Sequence, residues 1–351
     1  IKMNQLQHIK NNKDNLISRA QIVKSMREFF WSKNFTEVET PNIVALPGQE
    51  PYLSPMSLKI SDENKKQYQA YLHTSPEYAM KKMLAGGFDN IFSICKCFRD
   101  NESFGGLHNP EFTMIEWYRT EVDFYKIMDD VEDLIQNLKL KIQNKNSKFQ
   151  IPNSKFFEKI HMRDLWKKYA GIDLDEYLEK EKMFTLCVER GFNPDKDEKY
   201  EDLFYRIFLN EIEPKLKDPV IIHHYPAQMA ALAKLSDEDN RYAERFEVYV
   251  NGMEIANAFS ELTDEEEQRK RLVEEKELRK ELGKPRKTSS RGVDVFEIDE
   301  DFIEAVGELP KCAGIALGVD RLVQVFLSCQ NIDDVLVLPA SIILSPDHLT
   351  T

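Results

Sequence analysis

Three stretches of this chain gather residues able to do chemistry. CFRDNESFGGLHNPEFTMIEWY (97–118) carries Arg99, Glu102, His108, Asn109, Phe112, Glu116 and Tyr118. An arginine offers a planar fork of donors to phosphate oxygens, and an aromatic face stacks on a base. Such a loop between two strands suits a polyphosphate, although a solvated hairpin with a satisfied histidine would have the same composition. In RFEVYVNGMEIANAFSEL (245–262), Glu247, Glu254 and Glu261 recur every seven residues. On a regular strand that spacing puts neighbours on opposite faces. The three converge only if the chain bends, and Gly252 and Ala256–Asn257 are the candidate bends. Converging carboxylates need a cation, either magnesium or a substrate ammonium. By spacing alone, surface glutamates are the simpler account. In GIALGVDRL (314–322), small residues admit a close backbone approach and Gly318 permits a tight strand-to-helix turn. Arg321 then stands where it can reach back over a ligand, but a packed junction with an exposed arginine fits equally well.

These groups need elements to hold them. Ile17, Ala20, Ile22, Val23, Met26, Phe29 and Phe30 recur at helical spacing and predict a helix over 14–34. FTEVETPNIV is a short extended segment closed by Pro41. Residues 47–70, with Pro47, Gly48, Pro51 and Pro55, read as loop. Tyr71–Thr74 reads as a strand entering a helix, with Ser75 as N-cap and Pro76 and Glu77 in the first turn. Asn90–Arg99 and Glu111–Arg119 read as the strands of a hairpin. Residues 121–219 read as a helical insertion, followed by a strand at Val220–His224. Thr263–Leu282 is a charged helix opening with a capping-box pattern, Thr263 to Glu266. Ala313–Ala316 reads as a buried strand. The expected class is α+β, a mainly antiparallel sheet flanked by helices.

Composition sets outer limits. The chain has 351 residues, 42% hydrophobic and 11% aromatic, enough for a core and too apolar for disorder. No apolar run approaches the ~18 residues that span a bilayer, and the N-terminal segment is polar, so the expectation is a cytoplasmic protein away from membranes. The net charge of -13 repels phosphate backbones and counts against nucleic acid as the main partner. The five cysteines, an odd number without a CxxC, suggest neither a disulfide framework nor a zinc site. Cys95 and Cys97 read simply as strand residues.

Taken together, the three blocks resemble a known family. FTEVETPNIV is similar to motif 1 of the class II aminoacyl-tRNA synthetases, FRDNES…HNPEFTMIEWY to motif 2 and GIALGVDRL to motif 3. HNPEFTM and NAFSEL resemble the lysyl branch. LHTSPEYAMKKMLAGG and ALGVDRLV are most similar to a stand-alone lysyl-synthetase paralogue family that attaches β-lysine to a lysine side chain of elongation factor P. The motif 1 helix begins at residue 14, so the expectation is a single catalytic domain over 1–351 with no anticodon-binding domain.

The resemblance implies a class II synthetase fold, ATP and Mg2+ as cofactors, lysine or β-lysine as substrate, elongation factor P as acceptor and a homodimer through motif 1. Transfer RNA is then not expected as a partner. It further implies that Arg99 holds the ATP α-phosphate and that Phe112 and Arg321 sandwich the adenine. His108 and Asn109 would place the nucleotide, and Glu247 and Glu254 would bind magnesium and ATP. Ser75, Glu77, Glu116, Tyr118, Asn257, Glu261 and Ala316 would line the amino-acid site. Arg99, Glu254 and Arg321 are the catalytic set. One departure stands out. The family has an acid two positions after the motif 2 arginine, where this chain has Asn101 between Asp100 and Glu102. Glu102 is taken as that acid. Three alternatives remain: a minimal lysyl-tRNA synthetase, a catalytically silent regulatory module, and a ligase acting on another protein or small amine.

Overall fold

The computed structural model describes residues 4–143, 157–282 and 295–344. Its helices are α1 (Gln5–Asn11), α2 (Lys13–Ser32), α3 (Glu77–Ala85), α4 (Phe124–Gln143), α5 (Met162–Ala170), α6 (Lys180–Glu189), α7 (Tyr200–Ile207), α8 (Glu265–Leu282), α9 (Glu300–Gly307), α10 (Val319–Phe326) and α11 (Ala340–Ile343). Its strands are β1 (Thr36–Glu37), β2 (Ile43–Val44), β3 (Ser57–Ser61), β4 (Gln67–Leu72), β5 (Ile91–Phe98), β6 (Glu111–Thr120), β7 (Glu158–His161), β8 (Val220–Pro226), β9 (Tyr242–Val250), β10 (Met253–Ser260) and β11 (Cys312–Gly318). Eight strands form one sheet in the order β1-β5-β6-β11-β10-β9-β8-β7. Its two end pairs are parallel and the rest antiparallel, so the α+β expectation holds. No helix among the described residues is long and apolar enough to cross a membrane.

The predicted first helix is α2. Ile22, Met26, Phe29 and Phe30 are buried on one face, and Phe30 packs on Phe92 of β5 and Trp117 of β6 at 5.0 and 4.9 Å. This face, with α4 and α10, closes one side of the sheet. The insertion expected at 121–219 is smaller than that. Phe124, Ile127, Met128, Val131, Leu134, Ile135 and Leu138 of α4 belong to the central core. A second cluster, built on Leu165, Trp166, Met183, Leu203, Phe204 and Phe208, carries the inserted helices and rests on β8 and β9. β7 inside the insertion, paired with β8, was not predicted.

Other corrections are local. Most of residues 57–70, expected as loop, form with Tyr71 and Leu72 the β3–β4 hairpin, which makes a small sheet with β2. Its strands do alternate, with Leu58 and Ile60 in β3 and Tyr68, Ala70 and Leu72 in β4, but Pro47, Gly48, Pro51 and Pro55 ahead of them read as loop. Helix α3 starts at Glu77 with Pro76 as its N-cap, yet Ser75 Oγ still accepts from the Glu77 amide at 3.0 Å. In α8 the capping side chain is Asp264, which accepts from the Glu267 amide at 2.9 Å, and not Thr263. The polar stretch after Leu282 lies outside the described residues as far as residue 294.

A buried polar knot joins the three motif segments. Asp320, at the start of α10 and 2% exposed, accepts from the Thr113 amide of β6 at 2.7 Å. It also pairs with Arg19 of α2, whose Nη2 donates to Thr113 Oγ1 at 2.8 Å. Removing the carboxylate leaves a half-buried guanidinium without its counter-charge and the buried Thr113 N–H without its acceptor. Asp320→Ala should therefore cost ~3–5 kcal/mol in urea unfolding. Asp320→Asn, which keeps an acceptor, should cost less. A loss in Asp320→Ala within ±0.5 kcal/mol, as at an ordinary surface site, would show that the knot is not structural.

Candidate active site

The sheet face opposite α2 borders a cavity of about 970 Å³. The β5–β6 hairpin sets one end of it. Arg99 follows β5 directly, and its guanidinium lies 4.9 Å from the centre of the Phe112 ring. Its Nε is buried without a hydrogen-bond partner, the mark of a donor left for an anion. Arg99 thus lies over the ring that Phe112 was expected to offer to adenine. Arg321 of α10 instead donates from Nη1 to the Glu254 carbonyl at 3.0 Å and from Nε to the Leu107 carbonyl at 3.4 Å. Arg99, Phe112, Glu254 and Arg321 all line the cavity, and so do Glu102 and His108. His108 Nδ1 lies 3.5 Å from Glu102, and partial burial and the Arg321 charge hold its pKa below the usual histidine value. Asn109 also lines the cavity, but its side chain is committed to the backbone. Its amide donates to the Glu111 carbonyl at 2.6 Å, and its oxygen accepts from the Ala340 amide at 2.8 Å.

The three glutamates do not converge as a set. The β9–β10 turn at Asn251–Gly252 has positive φ at both positions, as a two-residue hairpin requires. A register shift between Glu254 and Ala256 then takes up one residue. Glu254 and Glu261, seven apart, consequently both reach the cavity. Glu247 does not line it. One of its oxygens accepts from Arg245 Nη2 at 2.7 Å and the other from the Tyr249 hydroxyl at 2.8 Å, so both oxygens of this expected metal ligand already have a protein donor. Burial, followed by the Glu247 charge, pushes Glu254 up to about 7. A divalent cation would relieve both causes, which makes Glu254 the acid that fits magnesium.

The other end of the cavity is a carboxylate pocket. Lys81 of α3 is fully buried, with Nζ 2.7 Å from Glu77 and 2.6 Å from Glu261. The two acids outweigh the desolvation of Lys81 and hold it protonated. Glu261 Oε1, not part of the pair, has no hydrogen-bond partner. Burial raises Glu261 to about 7, against the pull of Lys81. Glu116 was expected to line the pocket but sits behind it. Its oxygens accept from Ser75 Oγ at 2.6 Å and Tyr118 Oη at 3.0 Å. Burial, with Glu77 next, pushes its pKa well above the carboxylate range, and its two oxygens orient Ser75 and Tyr118. Ser75, Tyr118 and Asn257 line the cavity. Ala316, paired with Glu116 on one side and Asn257 on the other, is part of its floor. At Gly314, an added Cβ would lie 2.2 Å from the Tyr118 ring, so only glycine lets that ring cross the strand.

Sequence reasoning missed Lys81 and Arg245. Lys81 was within reach, since Glu77 and Lys81 stand four apart on a predicted helix. Arg245 had no such signal. It is buried, lies 4.5 Å from the centre of the Tyr225 ring, and its Nε donates to Asn257 Oδ1 at 3.2 Å. That contact leaves the Asn257 amide nitrogen for a ligand.

Comparisons with known proteins agree with this geometry. The family model described as tRNA synthetases class II (D, K and N) matches residues 3–342. A protein of Avibacterium paragallinarum named elongation factor P–(R)-β-lysine ligase is 40% identical over 329 residues, covering 92% of this chain and 94% of the relative. Proteins of the same name from Proteus mirabilis and Pasteurella multocida are 37% and 36% identical, the first covering 93% of this chain and 94% of its own length, the second 92% and 94%. With motif 2 on the β5–β6 hairpin, motif 3 on β11 and α10, and a match along nearly its whole length, the chain belongs to the class II (D, K and N) tRNA synthetase family.

Proposed function

We propose that this protein is an ATP-dependent ligase that activates β-lysine, or lysine, and transfers it to a lysine side chain of elongation factor P. The observation that carries the reading is the carboxylate pocket of Glu77 and Glu261 beside the Arg99–Phe112 end of the same cavity. Of three charges buried there, two are negative and one is positive, so the pocket favours a further cation. The names of the curated relatives supply the acceptor.

In the first step, a substrate carboxylate oxygen attacks the α-phosphorus of ATP and the bond to pyrophosphate breaks. Arg99 holds the α-phosphate, Phe112 offers its ring to the base and Arg321 adds charge from α10. Glu254 holds magnesium, which when bound neutralises polyphosphate charge. Ser75, Tyr118 and Asn257 orient the amino acid. In the second step, the acceptor's neutral ε-amine attacks the acyl carbon, AMP leaves and the amine gives up a proton. We further propose that the chain works as a homodimer in the cytoplasm. Ile17 and Trp31, exposed on α2, are consistent with a covered face, and sedimentation velocity reads the dimer directly.

Incubating elongation factor P with this protein, Mg2+, ATP and each lysine isomer should add one lysyl mass to the factor, and Arg99→Ala and Glu254→Ala should abolish the gain. An unmodified factor together with charged tRNA would instead identify a minimal lysyl-tRNA synthetase.

The raised acids set a pH dependence. A carboxyl with a pKa of about 7 is neutral below that pH and attracts no ammonium, whereas above it the group is charged. Amino-acid affinity should thus rise with pH. KM in pyrophosphate exchange should fall about tenfold from pH 6 to 8, the ratio of ionised fractions for one such group. A flat KM would remove Glu261 from ammonium binding.

Ala316 tests isomer choice. Its methyl narrows the floor between the Glu116 and Asn257 rows. Ala316→Gly should raise kcat/KM for α-lysine relative to β-lysine at least several-fold, within the ~10–200-fold that one methyl-sized difference commands. An unchanged ratio would show that Ala316 does not select the isomer.

A further inference from the structure

Outside the cavity lining, the fold assembles a group that the sequence does not announce. Cys95 and Cys97 stand two apart on β5 and so share a face. His73, just beyond β4, joins them, and the ligand atoms of the three lie within 4.8 Å of one another. We propose that His73, Cys95 and Cys97 form a binding site for a thiophilic divalent cation of the zinc type.

The geometry suits that ion. The two sulfurs are 3.9 Å apart. Two thiolates at ~2.3 Å from a tetrahedral zinc stand about 3.8 Å from each other. His73 is fixed before any ion arrives. Its amide donates to the Asn42 carbonyl at 2.9 Å and its carbonyl accepts from the Phe98 amide at 3.0 Å. Its Nε2 donates to the Lys96 carbonyl at 2.5 Å. That bond anchors the ring to the backbone, as second-shell partners anchor metal-binding histidines. Two sulfurs and an imidazole exclude the hard, oxygen-seeking magnesium and calcium. Cys95 is only half-buried, which provides a way in, and the fourth position remains for water.

The place of the site gives it a consequence. Cys95 pairs across the hairpin with Met114, and Cys97 pairs with Phe112, both of which line the cavity. His73 stands two residues before Ser75 and four before Glu77. A cation here would tie β5 to the segment carrying the amino-acid pocket and stiffen that wall of the cavity.

The test uses the full chain purified free of metal, titrated with Zn2+ or Co2+ alone, and it reads binding and not ligase activity. One equivalent of Zn2+ should bind, and Co2+ should give a thiolate-to-metal absorption band. Zinc should shield Cys95 and Cys97 from alkylation, read by peptide mass, and EDTA should restore their reactivity. Cys329, half-buried beside Asn15, should stay reactive throughout. The double variant Cys95→Ser/Cys97→Ser should lose the equivalent, and His73→Gln should weaken it at least about tenfold. Undiminished alkylation of Cys95 and Cys97 in the wild type at saturating zinc would overturn the proposal, as would unchanged stoichiometry in the double variant. The alkylation readout on the wild type holds even if a variant fails to fold.

Discussion

The side chain of Asp320 is the point through which the three motif segments hold one another. It sits where α10 leaves the sheet, accepts a backbone N–H from β6 and pairs with Arg19 of α2. Each of those elements carries one part of the site. β6 leads from Phe112 to Tyr118, α10 carries Arg321, and α2 packs the back of the sheet through Phe30. A carboxylate that is 2% exposed is tolerable only with such partners in place. The interaction therefore specifies relative position more than it adds stability. A shift of any one element would strand a charge, and that couples the distance between Phe112 and Arg321 to the integrity of the core.

The cavity is built on the same rule, buried charge held by buried counter-charge. Lys81 satisfies Glu77 and Glu261 while leaving the pocket negative on balance. Arg245 satisfies Glu247 and positions Asn257. Glu116 follows the other available course. Without a cation beside it, its pKa is pushed up by burial, and it serves as a hydrogen-bond anchor for Ser75 and Tyr118. Five carboxylates, Glu77, Glu116, Glu247, Glu254 and Glu261, thus have distinct states within one small region. Burial raises two of them, Glu254 and Glu261, to about 7. Those are the groups a dicationic amino acid and a metal–nucleotide would ionise, so ligand binding and proton release are linked at this site.

How much of this was legible follows from which features are local. The β5–β6 hairpin, α2, α8 and the β11–α10 junction were readable because periodicity and turn chemistry are written in adjacent residues. Most of the residues expected around the cavity, from Ser75 to Arg321, do line it. Glu116 and Glu247 were placed one layer too far forward. Their residue type is the same as that of Glu254 and Glu261, and what separates the two pairs is the donors around them, Ser75 and Tyr118 in one case, Arg245 and Tyr249 in the other. Burial of a carboxylate behind its own hydrogen-bond donors leaves no trace in spacing. The His73–Cys95–Cys97 group was invisible for a related reason. The C-x-C pair is local, but its third member arrives from the segment after β4, held beside β5 by the long-range bond from the Phe98 amide to the His73 carbonyl.

The seven-residue recurrence of Glu247, Glu254 and Glu261 shows how a pattern can be real and its first explanation wrong. In an unbroken strand an odd separation inverts the face, so Glu254 and Glu261 should point apart. The bulge between Glu254 and Ala256 removes one residue from the alternation and restores a common face. From Glu247 to Glu254 the chain instead passes through the Asn251–Gly252 turn, so their relation is set by cross-strand register. There Glu247 lies opposite Asn257, one strand further from the cavity, within reach of Arg245 on its own strand. One irregular residue step in β10 thus decides which two of three identical side chains meet the ligand. A strand of ideal geometry would have left this cavity with a single one of them.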